Sequence, residues 1–342
     1  MRWLEKKASF FRTLETLAGT NTRTPIAPTA EINSSRDSTT QSSSIRLHLT
    51  IDAQNVVSQS LLQANILDNI VTFLAQAKTL MAEVSRLSYD PIQRHQAIEK
   101  IVVREGLQGQ EKKYYRFRPA RWYGGIVTAD CVGCGLLCRF CWVRDPIMLR
   151  PADTGIFYTP RYIAEKMTAL ARKCSFKQLR VSGGEPTIGK AHLFQLLDLL
   201  KDKGFSFILE TNGILIGYDE EYAADLAKYD FVHARVSLKG CSNQEFSMLT
   251  GANSKGFELQ LRSLKNLIEA GVKCHPSVMV SFSEEESLEN LKQELRQIDS
   301  DLAEQLEIEE LILYPHVVRR IQKYGLRHTS GYEPNKVPRE QV

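Results

Sequence analysis

No uninterrupted apolar run in the 342-residue chain approaches the ~18 residues that a membrane-spanning helix requires, so no membrane association is expected. No secretory signal stretch is present, which with seven cysteines argues for a reducing, cytoplasmic setting rather than a disulfide framework. Strong charge of either sign is also missing. The 44 Lys and Arg against 40 Asp and Glu leave a net charge of +4, which argues against a nucleic-acid binder driven by a basic field but does not exclude RNA held in a pocket. What is present, 43% hydrophobic and 25% charged residues, suits a full globular core with one accessory module.

The composition changes along the chain. Residues 1–45 run from M-R-W-L-E-K-K-A-S-F-F-R into a Ser/Thr-rich tract too polar to offset its ordering entropy, and are expected to form a disordered tail. Glu5 and Glu15 oppose reading the start as a transit peptide. Residues 46–118 are expected to be helical. Leu62, Ile66, Ile70, Leu74, Met81 and Val84 recur at helical spacing. Asp90 and Pro91 read as an N-cap and first helical residue, with Ile98, Ile101 and Val102 continuing the apolar face to Gly106. No titratable cluster on this segment suggests chemistry.

From residue 119 to 320 short β-rich runs alternate with amphipathic helices, the pattern of parallel strands with helical crossovers. Strands are expected at 125–129, 179–182, 205–210, 232–238, 276–282 and 311–314. The span is too short for the ~250 residues of a closed eight-unit barrel, and six strands fit a partial one. Residues 321–342 are left as a C-terminal tail. In such α/β folds ligands gather at the C-terminal strand ends, where functional residues are to be sought.

Cys134, Cys138 and Cys141, in C-G-L-L-C-R-F-C, place three thiolates in eight residues. Cys131 extends the run to C-x2-C-x3-C-x2-C, and four sulfurs could bind zinc. Zinc ribbons, however, separate their two C-x2-C pairs by ~15 to 20 residues. A two-cluster ferredoxin run ends in C-P, whereas Trp142 follows the last cysteine here. Cys131 is read as a structural thiol, and a zinc-holding binding module remains the non-enzymatic alternative.

The C-x3-C-x2-C spacing, with Phe140 just before the last cysteine, resembles the signature of the radical S-adenosylmethionine (radical SAM) enzymes. The resemblance implies that Cys134, Cys138 and Cys141 ligate a 4Fe-4S cluster whose fourth iron is chelated by S-adenosylmethionine. It implies reductive cleavage to methionine and a 5'-deoxyadenosyl radical that takes hydrogen from a substrate. It also implies a (β/α)6 partial TIM-type barrel with the cluster loop after the first strand, and an external flavodoxin or ferredoxin as electron donor.

Further motifs fall at the strand ends. Ser182-Gly183-Gly184-Glu185-Pro186 is similar to the family's G-G-E-P, whose backbone and carboxylate receive the methionyl ammonium. Glycine permits close backbone approach, Glu185 offers charge-assisted hydrogen bonds, and Pro186 stops the strand. Thr211-Asn212-Gly213 is similar to the family's T-N-G and assigns Thr211 and Asn212 to the cofactor pocket, although Asn-Gly is also a common turn. Ser237-Leu238-Lys239 resembles the aspartate-aliphatic-lysine stretch of the glycyl-radical activating branch. Lys239 is placed near the cofactor carboxylate, while Ser237 departs from the acid and offers the ribose an uncharged hydroxyl. Phe140 is implied near adenine.

Gly133 and Gly135 are expected to let the backbone wrap closely around the cluster. His316 is read as a partly buried histidine, and Arg319, Arg320 and Lys323 as a solvated helix face. Cys174, Cys241 and Cys274 are expected to be core thiols. Most similar to the activating branch, the chain is expected to act on a protein glycine, with a small molecule, peptide or RNA as the alternative substrate.

Overall fold

A computed structural model of the chain describes residues 88–107 and 109–338. The tail expected at 1–45 and the helical stripe from Leu62 to Val84 lie outside the described residues. The elements, in chain order, begin with α1 (Pro91–Val102), β1 (Val103–Gly106), β2 (Gly109–Ala120) and β3 (Ile126–Cys131). They continue with α2 (Asp145–Leu149), β4 (Ile156–Tyr158), α3 (Pro160–Cys174), β5 (Gln178–Gly183), α4 (Lys190–Leu200), β6 (Ser206–Thr211), α5 (Ile214–Tyr218) and α6 (Glu220–Leu226). The last are β7 (Val232–Leu238), α7 (Asn243–Thr250), α8 (Lys255–Glu269), β8 (Cys274–Met279), α9 (Glu285–Ile298), α10 (Ser300–Glu304), β9 (Glu307–Glu309) and α11 (Pro315–Lys323).

Local chemistry sets several of these bounds. Asp90 caps α1 by accepting from the amides of Ile92 and Gln93, with Pro91 at the first position, as the sequence leads one to expect. Thr159 caps α3 in the same way through the amide of Tyr162, again ahead of a proline, and the helix stops at Ser175 in the left-handed region. In α8, Phe257, Gln260, Leu264 and Leu267 form the buried stripe.

β3, β5, β6, β7, β8 and β9 pair in parallel and in order, each pair joined through helices, and the two outer members do not pair with each other. The result is the open (β/α)6 arrangement. β2 extends the sheet antiparallel to β3, and β1 and β4 pair with β2.

Alternation along the strands divides the sheet into two chemistries. One face is apolar and buried beneath the helices, with Val127 and Ala129, Leu179 and Val181, Phe207 and Leu209, and Val232 to Leu238 at alternate positions in the main core. The other carries Asp130, Arg180, Glu210, Arg235, Glu307 and Glu309, cross-linked by ion pairs: Arg180 to Glu210 at 2.6 Å, and Arg235 to Glu307 and Glu309 at 2.7 and 2.6 Å. Burial would raise the Glu307 carboxyl, but Arg235 and His275 hold it down at about 2.

Two expectations need correction. Residues 103–120 are not helical. Helix α1 ends at Val102 and a hairpin follows, in which the charged Lys112, Lys113 and Arg116 of β2 find buried or paired places against neighbouring segments. The sixth strand is β9, Glu307–Glu309, rather than 311–314. Its two glutamates belong to the ion-paired face, so the strand lacks an apolar signature. Leu311 and Ile312 are buried instead in a loop, where Ile312 bridges Tyr332.

Candidate active site

The loop leaving β3 lies on α1. A β-carbon on Gly133 would come within 2.8 Å of Ile98 and 2.9 Å of Val102, and one on Gly135 would lie 1.9 Å from Nδ1 of His95. These glycines therefore admit the helix beneath the loop. Ile98, Val102, Val132 and Ile188 form a small separate core at this junction.

Within the loop Cys134, Cys138 and Cys141 are free thiols, Cys138 buried and the other two half-buried. The amide of Leu136 donates to Cys134 Sγ at 3.4 Å, and that of Val143 to Cys141 Sγ at 3.4 Å. Burial, reinforced by Glu185 and the neighbouring cysteines, pushes the Cys134 thiol well up. Burial likewise lifts Cys138 to about 12, against the pull of the Lys239 ammonium. A bound metal reverses that cost, since coordination deprotonates a thiol outright. Among the described residues no three of His, Cys, Asp and Glu converge on one point where a single ion would sit. Three free thiols in one loop, two of them with amide donors on sulfur, are a donor set of the kind that ligates an iron-sulfur cluster.

Three distant elements hold the loop. Tyr89 accepts from the Leu137 amide at 2.9 Å and donates to the Thr250 carbonyl at 3.2 Å. The Arg139 amide donates to the Leu249 carbonyl at 2.8 Å. From α11, Arg320 gives Nη1 to the Cys141 carbonyl at 2.7 Å and Nη2 to the Val143 carbonyl at 3.0 Å, and pairs with Asp145. Its side chain is 5% exposed, so Arg320 does not belong to a solvated helix face. Once β9 delivers α11 to the cysteine loop, planar guanidinium chemistry suits three acceptors in one place. His316 is half-buried on the same helix and contacts the Trp142 carbonyl at 2.8 Å.

Gly183 to Pro186 close against the same loop. The Gly184 amide donates to the Cys131 carbonyl at 2.8 Å and the Glu185 amide to the Gly133 carbonyl at 2.7 Å. A β-carbon on Gly184 would sit 2.3 Å from the Gly133 oxygen. Glu185, 2% exposed, accepts from the Thr187 amide and hydroxyl at 3.1 and 2.7 Å, from the Thr211 hydroxyl at 2.7 Å and from the Asn212 amide at 2.8 Å. Its carboxylate thus joins the ends of β5 and β6. Lys112, 1% exposed, donates to the carbonyls of Glu185, Pro186 and Ile188 at 2.8, 3.1 and 2.7 Å. Its position in β2 gave the sequence no sign of this role.

The end of β7 joins the same group. Lys239 Nζ donates to Ser237 Oγ at 2.6 Å, and Ser237 donates onward to Glu309 at 3.4 Å. Gln260, fully buried on α8, donates to the carbonyls of Asn212 and Ser237 at 2.6 and 3.0 Å and accepts from the Lys239 amide at 3.0 Å. The loops after β3, β5, β6 and β7 therefore share one bonded framework. Phe140, 5% exposed, packs on Phe282 with ring centroids 5.7 Å apart.

His95, 1% exposed, is a further residue the sequence did not mark. Burial lowers its basicity from the usual range. Its ring contacts the Pro91 carbonyl at 2.6 Å through Nδ1 and the Asn212 side-chain amide at 3.2 Å through Nε2. Cys131 is fully buried in the main core; Cys241 is buried there too, and burial pushes its thiol up to about 12; Cys274 is buried and Cys174 half-buried.

Residues 130–295 match the family described as the Radical SAM superfamily. A protein of Methanocaldococcus jannaschii named as a candidate glycyl-radical enzyme activating enzyme is 28% identical over 125 residues, 35% of this chain and 46% of that one. The GTP 3',8-cyclase of Peptoclostridium acidaminophilum is 28% identical over 157 residues, 45% of this chain and 46% of the relative. This chain thus spans about half the length of these curated relatives. Among solved structures, Streptococcus suis SuiB bound to S-adenosylmethionine aligns with 18% identity over 57% of this chain and 44% of that one, at a TM-score of 0.44. Among the described residues no helix is long and apolar enough to cross a membrane.

Proposed function

Because residues 130–295 match the Radical SAM superfamily, we propose that this chain is an enzyme that holds a 4Fe-4S cluster on Cys134, Cys138 and Cys141 and cleaves S-adenosylmethionine there. When bound, cluster and cofactor supply reductive cleavage to methionine and a 5'-deoxyadenosyl radical. The observation that carries the reading is the bonded framework that brings the ends of β3, β5, β6 and β7 to the three free cysteines. In it Glu185 is a positioning residue. Its oxygens are taken by Thr187, Thr211 and Asn212, so it fixes the backbone of Gly183 and Gly184, which is left to meet the methionyl end. Lys239 supplies the positive charge beside Cys138 and suits the cofactor carboxylate. Arg320 and Gln260 hold the surrounding loops and exclude water from the sulfurs.

The charged inner face of the sheet suits a polar substrate. With the resemblance of Ser237 to Lys239 to the activating branch, it supports a protein glycine as hydrogen donor. An external flavodoxin- or ferredoxin-type protein would deliver the electron. Anaerobic reconstitution should load iron and acid-labile sulfide in equal amounts; one tightly held zinc without sulfide would overturn the reading. Deuterium moving from a labelled glycine of a partner protein into deoxyadenosine supports the substrate assignment, and transfer only from a small molecule, peptide or RNA refutes it.

A further inference from the structure

The Asn212 side chain has its orientation determined by three contacts. Its Oδ1 accepts from the Ile214 amide at 2.9 Å, which leaves Nδ2 as the donor end. Nδ2 lies 3.2 Å from Nε2 of His95 and 3.6 Å from Sγ of Cys134. The other ring nitrogen of His95 faces the Pro91 carbonyl at 2.6 Å. A carbonyl only accepts, so the ring proton sits on Nδ1, and Nε2 is a bare acceptor for Asn212. One N–H of the amide is thereby spent on His95 and the other is directed at the cysteine sulfur. The Gly135 backbone passes close beside the His95 ring, where a β-carbon would lie 1.9 Å from Nδ1. Pro91, at the start of α1, is in this way connected through His95 and Asn212 to Cys134.

We propose that His95 is a positioning residue that sets the reduction potential of the cluster through the Asn212 to Cys134 hydrogen bond. A donor on a ligating sulfur favours the cluster state carrying the extra electron, and hydrogen bonds to sulfur are among the determinants of iron-sulfur potentials. With Nε2 removed, the Asn212 amide loses the partner that fixes its rotation, and its second donor no longer faces the sulfur continuously. The inference rests on the cluster reading above and concerns residues of α1, which precedes the domain matched to the superfamily.

The test is an EPR-monitored redox titration of the anaerobically reconstituted full chain, with iron and sulfide assayed on each sample. His95→Leu should leave the iron content unchanged and shift reduction unfavourably by about tenfold, ~59 mV for a one-electron couple. His95→Gln, which keeps an acceptor near Nε2, should restore most of the shift. Asn212→Ala should match His95→Leu, and the double variant should go no lower, since the two act through one bond. A wild-type potential in fully loaded His95→Leu, or additive shifts in the double variant, would overturn the proposal. If His95→Leu does not load, an unchanged potential in Asn212→Ala overturns it alone. An unaltered chain without iron would sink the cluster reading itself, and the iron assay distinguishes that failure from the others.

Discussion

Arg320 Nη1 donates to the Cys141 carbonyl oxygen across 2.7 Å, so a helix 179 residues farther along the chain fixes the last cysteine of the triplet. The same side chain serves the Val143 carbonyl and Asp145. Arg320→Leu removes a buried charge together with its three acceptors' donors and should cost about 2 kcal/mol, less than a fully buried pair because Asp145 is half exposed. Arg320→Lys should recover less than half, since an ammonium cannot reproduce the planar fork. Thermal midpoints and retained iron measure both, and wild-type iron retention in Arg320→Leu would argue against a clamp.

Lys112 spends its ammonium on three carbonyls of the Gly-Gly-Glu-Pro loop. Lys112→Met keeps the length of the side chain but leaves those buried oxygens without a donor, at about 3 kcal/mol in total. Affinity for S-adenosylmethionine should fall with it, because the backbone of Gly183 and Gly184 loses its support. Isothermal titration of the reconstituted protein checks this, and unchanged affinity would place the cofactor elsewhere.

His192 gives a pH-dependent term. Burial lowers its imidazole from 6.5 to about 4, with its ring held between the Gln110 carbonyl and the Tyr114 hydroxyl. The unfolded chain therefore binds a proton between those values that the folded chain refuses, and stability present above pH 6.5 is lost as pH falls through 4. The loss amounts to about 3 kcal/mol. In urea titrations across that interval, the slope of stability against pH should flatten in His192→Gln. Equal slopes in both chains would contradict the assignment.

Cys131 and Cys138 separate structure from ligation. Cys131 is fully buried in the main core, so Cys131→Ala should leave a small cavity worth about 1 kcal/mol and keep the full iron complement. Alanine at Cys134, Cys138 or Cys141 should abolish cluster retention. Loss of iron in Cys131→Ala would make the site a four-thiolate one.

Much of this was legible in the sequence because it depends on local spacing. The cysteine triplet, the cap of α1 at Asp90 and the strand at Val232–Leu238 stand where spacing and composition put them. The misplaced elements share one cause. In β2 and β9 the side chains that face the sheet interior are charged, as with Lys112, Glu307 and Glu309, and find partners only in the folded chain. Pattern reading assigns such residues to solvent. Arg320 was assigned to solvent, and Gln260 and His95 escaped notice, for the same reason. Each serves acceptors or donors far away in the chain, and no local motif announces a bond across 179 residues.

The most direct test is whether the anaerobically reconstituted chain, reduced in the presence of S-adenosylmethionine, releases 5'-deoxyadenosine. The account predicts release by the unaltered protein and none by Cys138→Ala. A chain fully loaded with iron and sulfide that binds S-adenosylmethionine yet never forms 5'-deoxyadenosine would contradict it.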